Sequence, residues 1–243
     1  LALLMVVTAC SLPGGDKASD EPSYLPPPDL PTSAVPAVTK PNILVIEADD
    51  MRADELAFMP NVRKLIGDRG LTFENSFAPY PLCCPSRASI LTGRYSHSNG
   101  VYTNKNGQPH GGFRAFDDRS TVATWLDEAV YRTAMLGKYF NGYEGPYVPP
   151  GWDRWFATYV NGAFYDYLAT DDGVVRTYGS DAADYGTTVL ATEAVRFIES
   201  TPADTPLFLY FAPHAPHEPA MAAPGDRRAQ AGDLPLQQPH LGM

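Results

Sequence analysis

A few short stretches of the 243-residue chain concentrate the side chains able to do chemistry. Asp49 and Asp50 stand side by side after an apolar run. Adjacent carboxylates repel unless they turn apart or share a cation, and a hard divalent ion suits oxygen donors. A helix cap or turn is the ordinary alternative for such aspartates. Cys83-Cys84-Pro85-Ser86-Arg87 places two cysteines and a proline where a helix would begin. A cysteine there lies in a positive field that favours anionic chemistry; the alternative is a buried cysteine pair in a strand-to-helix turn. Lys138 follows one apolar segment, and His214 and His217 follow another.

These groups need elements to carry them. Asn42 to Ile46 reads as a strand buried on both faces of a parallel sheet. Met59, Val62, Leu65 and Ile66 recur at helical spacing, with Gly70 placed to stop that helix. Leu71 to Phe77 reads as a strand, and Ser86 to Leu91 as a helix ending at Gly93. Thr121 caps a helix running through Val130, and Arg132 to Leu136 is the next strand. Asp181 to Glu199 is the longest helical segment, and Pro206 to Phe211 a further buried strand. Strands alternating with helices predict an α/β sandwich around a mostly parallel sheet. Ligands gather at the carboxyl ends of such strands, where Asp49, Asp50, Lys138, His214 and His217 all fall.

The remaining composition narrows the function classes. A net charge of −10 argues against a non-specific nucleic-acid binder, which needs a basic surface. Three cysteines are too few for a disulfide-built miniprotein. No apolar run approaches the roughly 20 residues of a membrane-spanning helix. Residues 1–10 are apolar and resemble the end of a bacterial lipoprotein signal, with Val7-Thr8-Ala9-Cys10 as a lipobox and Cys10 as the lipidated residue. Residues 11–40, rich in Pro, Ser and Asp, read as a disordered stalk. The expectation is an exported lipoprotein, facing the periplasm or the bacterial cell surface and tethered to a membrane by lipid.

Cys83-Cys84-Pro85-Ser86-Arg87-Ala88-Ser89-Ile90-Leu91-Thr92-Gly93 resembles the sulfatase motif C-x-P-S-R-x-x-x-L-T-G. Pro41 to Asp50 is similar to the opening strand and metal loop of that family, and Tyr131 to Lys138 to its second motif. Gly137 to Tyr143 and Tyr147 to Trp152 resemble the N-acetylglucosamine-6-sulfatase and heparan endosulfatase branch. The resemblance runs from about residue 41 to about 224. It implies an alkaline-phosphatase-like α/β/α sandwich, with residues 41–243 as the N-terminal part of the catalytic domain.

The same resemblance implies the chemistry. A formylglycine-generating enzyme would convert Cys83 to an aldehyde, whose hydrate attacks sulfur with one hydroxyl and expels sulfate with the other. Asp49, Asp50 and the modified Cys83 would hold one divalent cation, calcium in most relatives. Arg87 would steady the diol and the cation ligands, and Lys138 would meet the sulfate oxygens. A histidine would protonate the leaving alcohol. His217 aligns better than His214, which is left to a supporting place at the substrate. Asn141 falls at the substrate pocket, and His97 and His110 at loops or the rim. The substrate class is a sulfated carbohydrate or another sulfate ester. A phosphonate monoester or phosphodiester hydrolase is an alternative, and so is a non-catalytic fragment that only binds sulfated glycans.

Two departures stand out. Glu47-Ala48 replaces the apolar-Thr pair more usual before the aspartates, and it is expected not to touch the chemistry. Nothing after His217 supplies the further Asp, Asn or Gln and Lys that the family draws from its later half. The chain therefore reads as a truncated form, expected to be poorly soluble and nearly inactive by itself.

Overall fold

In the computed structural model, residues 40–159 and 164–225 are described. The lipobox with Cys10 and nearly all of the stalk lie outside them.

Among the described residues six strands form one sheet: β1 (Ile43–Ile46), β2 (Arg132–Lys138), β3 (Arg154–Thr158), β4 (Leu168–Asp171), β5 (Val174–Thr177) and β6 (Leu207–Ala212), in the order β1-β6-β2-β3-β4-β5. The β1–β6, β6–β2 and β2–β3 pairs are parallel, and β3–β4 and β4–β5 are antiparallel. The helices are α1 (Pro60–Leu65), α2 (Cys83–Thr92), α3 (Ser96–Asn99), α4 (Val122–Glu128) and α5 (Gly186–Glu199). The expected α/β sandwich with a mostly parallel sheet is what forms. No described helix is long and apolar enough to cross a membrane.

The period of two along each strand splits the apolar residues between two cores. Met135, Trp155, Phe208 and Tyr210 face a core shared with Cys84, Ala88 and Leu91 of α2. Ala134, Leu136, Phe156, Leu207 and Leu209 face the other, closed by Leu190, Ala194 and Phe197 of α5. Both faces of the central strands β2 and β6 are thereby buried, as their near-continuous apolar runs require.

β1 departs from the expectation. Ile43 and Val45 pack on the first core, while Leu44 and Ile46 are 50% and 49% exposed. The strand lies at the sheet edge, and α5 packs on β2 and β6 instead. The expected strand over Leu71 to Phe77 is also absent from the described residues, and Leu71, Phe73 and Phe77 stand out into solvent. An apolar alternation makes a strand only where a sheet edge accepts it. The long helix begins later than expected, because Tyr185 (φ −55°, ψ 114°) separates a single 3-10 turn at Ala182–Asp184 from α5.

The β3–β4–β5 meander was not anticipated. Its tightest turn carries a readable signal: Asp172-Gly173, both at positive φ (45° and 83°), joins the paired Asp171 and Val174 in a two-residue hairpin. β2 runs two residues further than expected, so Lys138 ends the strand rather than following it. Gly137 makes that possible. Its φ is +119°, and a Cβ there would lie 2.1 Å from the carbonyl oxygen of Ala212 on β6.

Candidate active site

The aspartate pair leaves β1 through a left-handed turn at Asp50 (φ 58°). Asp49 donates its N–H to the Ala215 carbonyl at 3.3 Å and points inward, only 4% exposed. The Asp50 side chain stays 63% exposed. The two carboxylates differ in exposure yet keep one oxygen each within 4.8 Å of the other.

Facing them is the start of α2. Cys83 is its first residue, Pro85 needs no hydrogen bond in the first turn, and Gly93 ends the helix in a left-handed conformation (φ 66°). The side chain of Asn104 accepts the Cys84 N–H at 2.8 Å and satisfies one of the free donors of that first turn. Sequence reasoning did not single out Asn104, and no local signal marks it. The Cys84 thiol turns into the core, accepts the Asn141 N–H at 3.2 Å and lies 3.5 Å from Asn141 Oδ1. Burial pushes this thiol up to about 11, against the smaller opposing pull of the Asn141 N–H. Cys83 is half-buried, with Sγ 3.5 Å from Lys138 Nζ.

Arg87, one turn along α2, and Lys138, at the end of β2, are both almost fully buried. Lys138 Nζ donates to the Asp49 carboxylate. Arg87 Nη1 donates to the Lys138 carbonyl at 2.7 Å, and Nη2 reaches Asp49 Oδ1 at 3.4 Å. Burial alone would raise the Asp49 pKa; the hydrogen bond to His214 and the charges of Lys138 and Arg87 outweigh it and hold the carboxyl well below its usual range. Two buried cations, both paired with Asp49, thus lie at the site, and Lys138 stands beside the half-buried sulfur.

The histidines take different places. His214 is 5% exposed, with Nδ1 3.5 Å from Asp49, its ring edge-on to Phe164, and Nε2 without a partner among the described residues. His217 is more open, with Nε2 3.4 Å from Asp50 and Nδ1 2.6 Å from the Glu218 carbonyl oxygen. Their rings lie 4.5 Å apart. His97 stacks on Tyr95, and His110 bonds the Gly100 carbonyl, so neither joins the cluster.

Glu47 corrects the sequence reading. It was expected to stay clear of the chemistry, yet its carboxylate accepts a hydrogen bond from Tyr210 and lies 3.6 Å from Arg87 Nη1. The alternation of β1 is the signal that could have found it: after Ile43 and Val45, position 47 also faces inward.

One ligand atom from each of Asp49, Asp50 and Cys83 falls within 4.8 Å of the others. Two carboxylates suit a hard divalent cation, a thiol does not, and an oxygen at position 83 would complete a matched set. The donors fit such an ion as part of its shell, since calcium takes six to eight oxygens.

The family model described as Sulfatase matches residues 41–235. The chain belongs to the sulfatase family. Members of this family generally use a formylglycine and a divalent cation. The chain is 34% identical over 203 residues to human N-acetylglucosamine-6-sulfatase, covering 78% of this chain and 37% of that protein. It is 36% identical over 191 residues to the Drosophila melanogaster extracellular sulfatase SULF-1 homolog, covering 76% and 17% respectively. A solved structure in complex with its substrate D-glucosamine-2-N,6-O-disulfate superposes with a TM-score of 0.63 at 30% identity, covering 76% of this chain and 36% of that one. The chain therefore spans well under half the length of these relatives.

Proposed function

We propose that this site hydrolyses sulfate esters of carbohydrates, with position 83, oxidised from cysteine to formylglycine, as its reacting centre. The observation that carries the reading is the convergence of Asp49, Asp50 and Lys138 on Cys83 at the first turn of a helix. The hydrated aldehyde would supply one hydroxyl for attack on sulfur and a second to release sulfate. A divalent cation, calcium by the family resemblance, would be held by Asp49, Asp50 and position 83 and would acidify that hydroxyl.

The other roles follow from reach. Lys138 would meet the sulfate oxygens, and Arg87 would steady Asp49 and the reacting centre. His217, the more open of the two rings, is our choice to protonate the departing alcohol, while His214 orients Asp49. Asn141 sits beside the start of α2, where its amide nitrogen can face substrate. The glucosamine sulfate named for the solved relative supports a sulfated carbohydrate as substrate.

The same proposal includes residues 1–10 as an export signal lipidated at Cys10, residues 11–40 as a linker to a membrane surface, and residues 41–243 as the N-terminal part of a catalytic domain. A formylglycine-generating enzyme is the partner that prepares Cys83.

The test is mass spectrometry of the Cys83 peptide from the full-length protein co-produced with that enzyme, paired with turnover of a glucosamine 6-sulfate. A formylglycine mass together with sulfate release is the expected result. Sulfate release by protein whose Cys83 remains a thiol, or a preference for phosphate esters, refutes the reading.

A further inference from the structure

Glu47 occupies a position that packing alone would give to an apolar residue. The ladder between β1 and β6 continues through it, with its N–H on the Phe211 carbonyl at 2.9 Å, and its side chain follows Ile43 and Val45 inward. A carboxylate carried into such a place costs several kcal/mol unless it is paired and hydrogen-bonded. Here Tyr210, itself buried, donates to it, and Arg87 Nη1 lies 3.6 Å away.

Arg87 gains as much as Glu47 does. Its Nη1 is fixed by the Lys138 carbonyl at 2.7 Å, its Nη2 leans on Asp49 at 3.4 Å, and its Nε has no partner among the described residues. With Asp49 alone the guanidinium would be drawn to one side, toward the carboxylate that the reaction needs elsewhere. Glu47 supplies a second pull, on Nη1 rather than Nη2, and Tyr210 holds Glu47 in place.

We infer that Glu47 is a positioning residue, which with Tyr210 holds the Arg87 guanidinium in register with position 83. The inference rests on the sulfate-ester reading above. Glu47→Gln keeps the size of the side chain and an acceptor for Tyr210, and removes only the charge facing Arg87.

The expected result is a fall in kcat, counted per formylglycine, of about 10- to 100-fold, the scale of a slightly misplaced catalytic group. KM should move by less than about threefold, since the lost contact matters at the transition state. In nitrogen-15 arginine NMR, the Arg87 guanidinium signals should broaden in Glu47→Gln. The same broadening is expected in Tyr210→Phe, which frees the carboxylate without removing it and serves if the first variant does not fold. Unchanged kcat, or unchanged Arg87 signals in either folded variant, overturns the inference. Full-length wild-type protein that releases no sulfate defeats the reading of the reaction, and the NMR comparison still decides Glu47 by itself.

Discussion

The Cys84 thiol should make alkaline stability visibly dependent on one buried atom. The side chain is fully buried, its sulfur accepts the Asn141 N–H at 3.2 Å, and burial moves its pKa from 9.0 to about 11. A folded-state pKa raised above the unfolded value gives a contribution that is complete below the unfolded pKa. That contribution is lost as pH rises through the folded one. The window is therefore pH 9 to 11. At about 1.4 kcal/mol per pH unit, two units amount to about 3 kcal/mol. Urea unfolding of wild type and Cys84→Ala across that window provides the assay. All other titrating groups are common to both proteins and cancel in the difference. Wild type should lose about 3 kcal/mol more than the variant. Parallel stability curves would show that the thiol is not held as the geometry implies. Iodoacetamide at neutral pH gives an independent check, modifying Cys83 in unconverted protein while sparing Cys84.

Lys138→Ala removes the ammonium beside Asp49 and position 83, and kcat/KM for the sulfate ester should drop about 10²- to 10³-fold. Because Asp49 is held below its usual range, its stabilising contribution is present above its ordinary value of 3.8 and lost as pH falls through its depressed range. The stability gap between Lys138→Ala and wild type should therefore close on acidification, as acid titration followed by circular dichroism will show. Gly137→Ala forces a Cβ against the Ala212 carbonyl at a positive φ and should cost more than about 3 kcal/mol, read as loss of soluble protein or of a cooperative melt. Asn104→Ala takes away the acceptor for the Cys84 N–H and should cost about 1 kcal/mol, or roughly 2–4 °C in Tm.

Much of the site was legible in the chain because its carriers are local. The run Ile43 to Ile46 ends at the aspartates as expected, and α2 runs to Gly93 from a start marked by Pro85. Thr121 caps α4 and β6 ends ahead of the histidines, again from signals contained within a few residues. Elements failed where their evidence was local but their stability was not. Leu71 to Phe77 has the pattern of a strand but no neighbour to pair with among the described residues, and the Asp172-Gly173 hairpin was missed because its flanking strands are short.

By itself, then, the sequence determined which residues carry the chemistry and which element ends present them, since periodicity, capping and turn chemistry act over one or two turns of chain. Only the tertiary structure decided that Asp49 turns inward while Asp50 faces water, and that Lys138 meets Asp49 across 89 residues. It also decided that Glu47 backs Arg87 from 40 positions away. Those contacts depend on the order in which β1, β6 and β2 lie side by side, and sheet order is set by the burial of both faces at once rather than by any short stretch of chain.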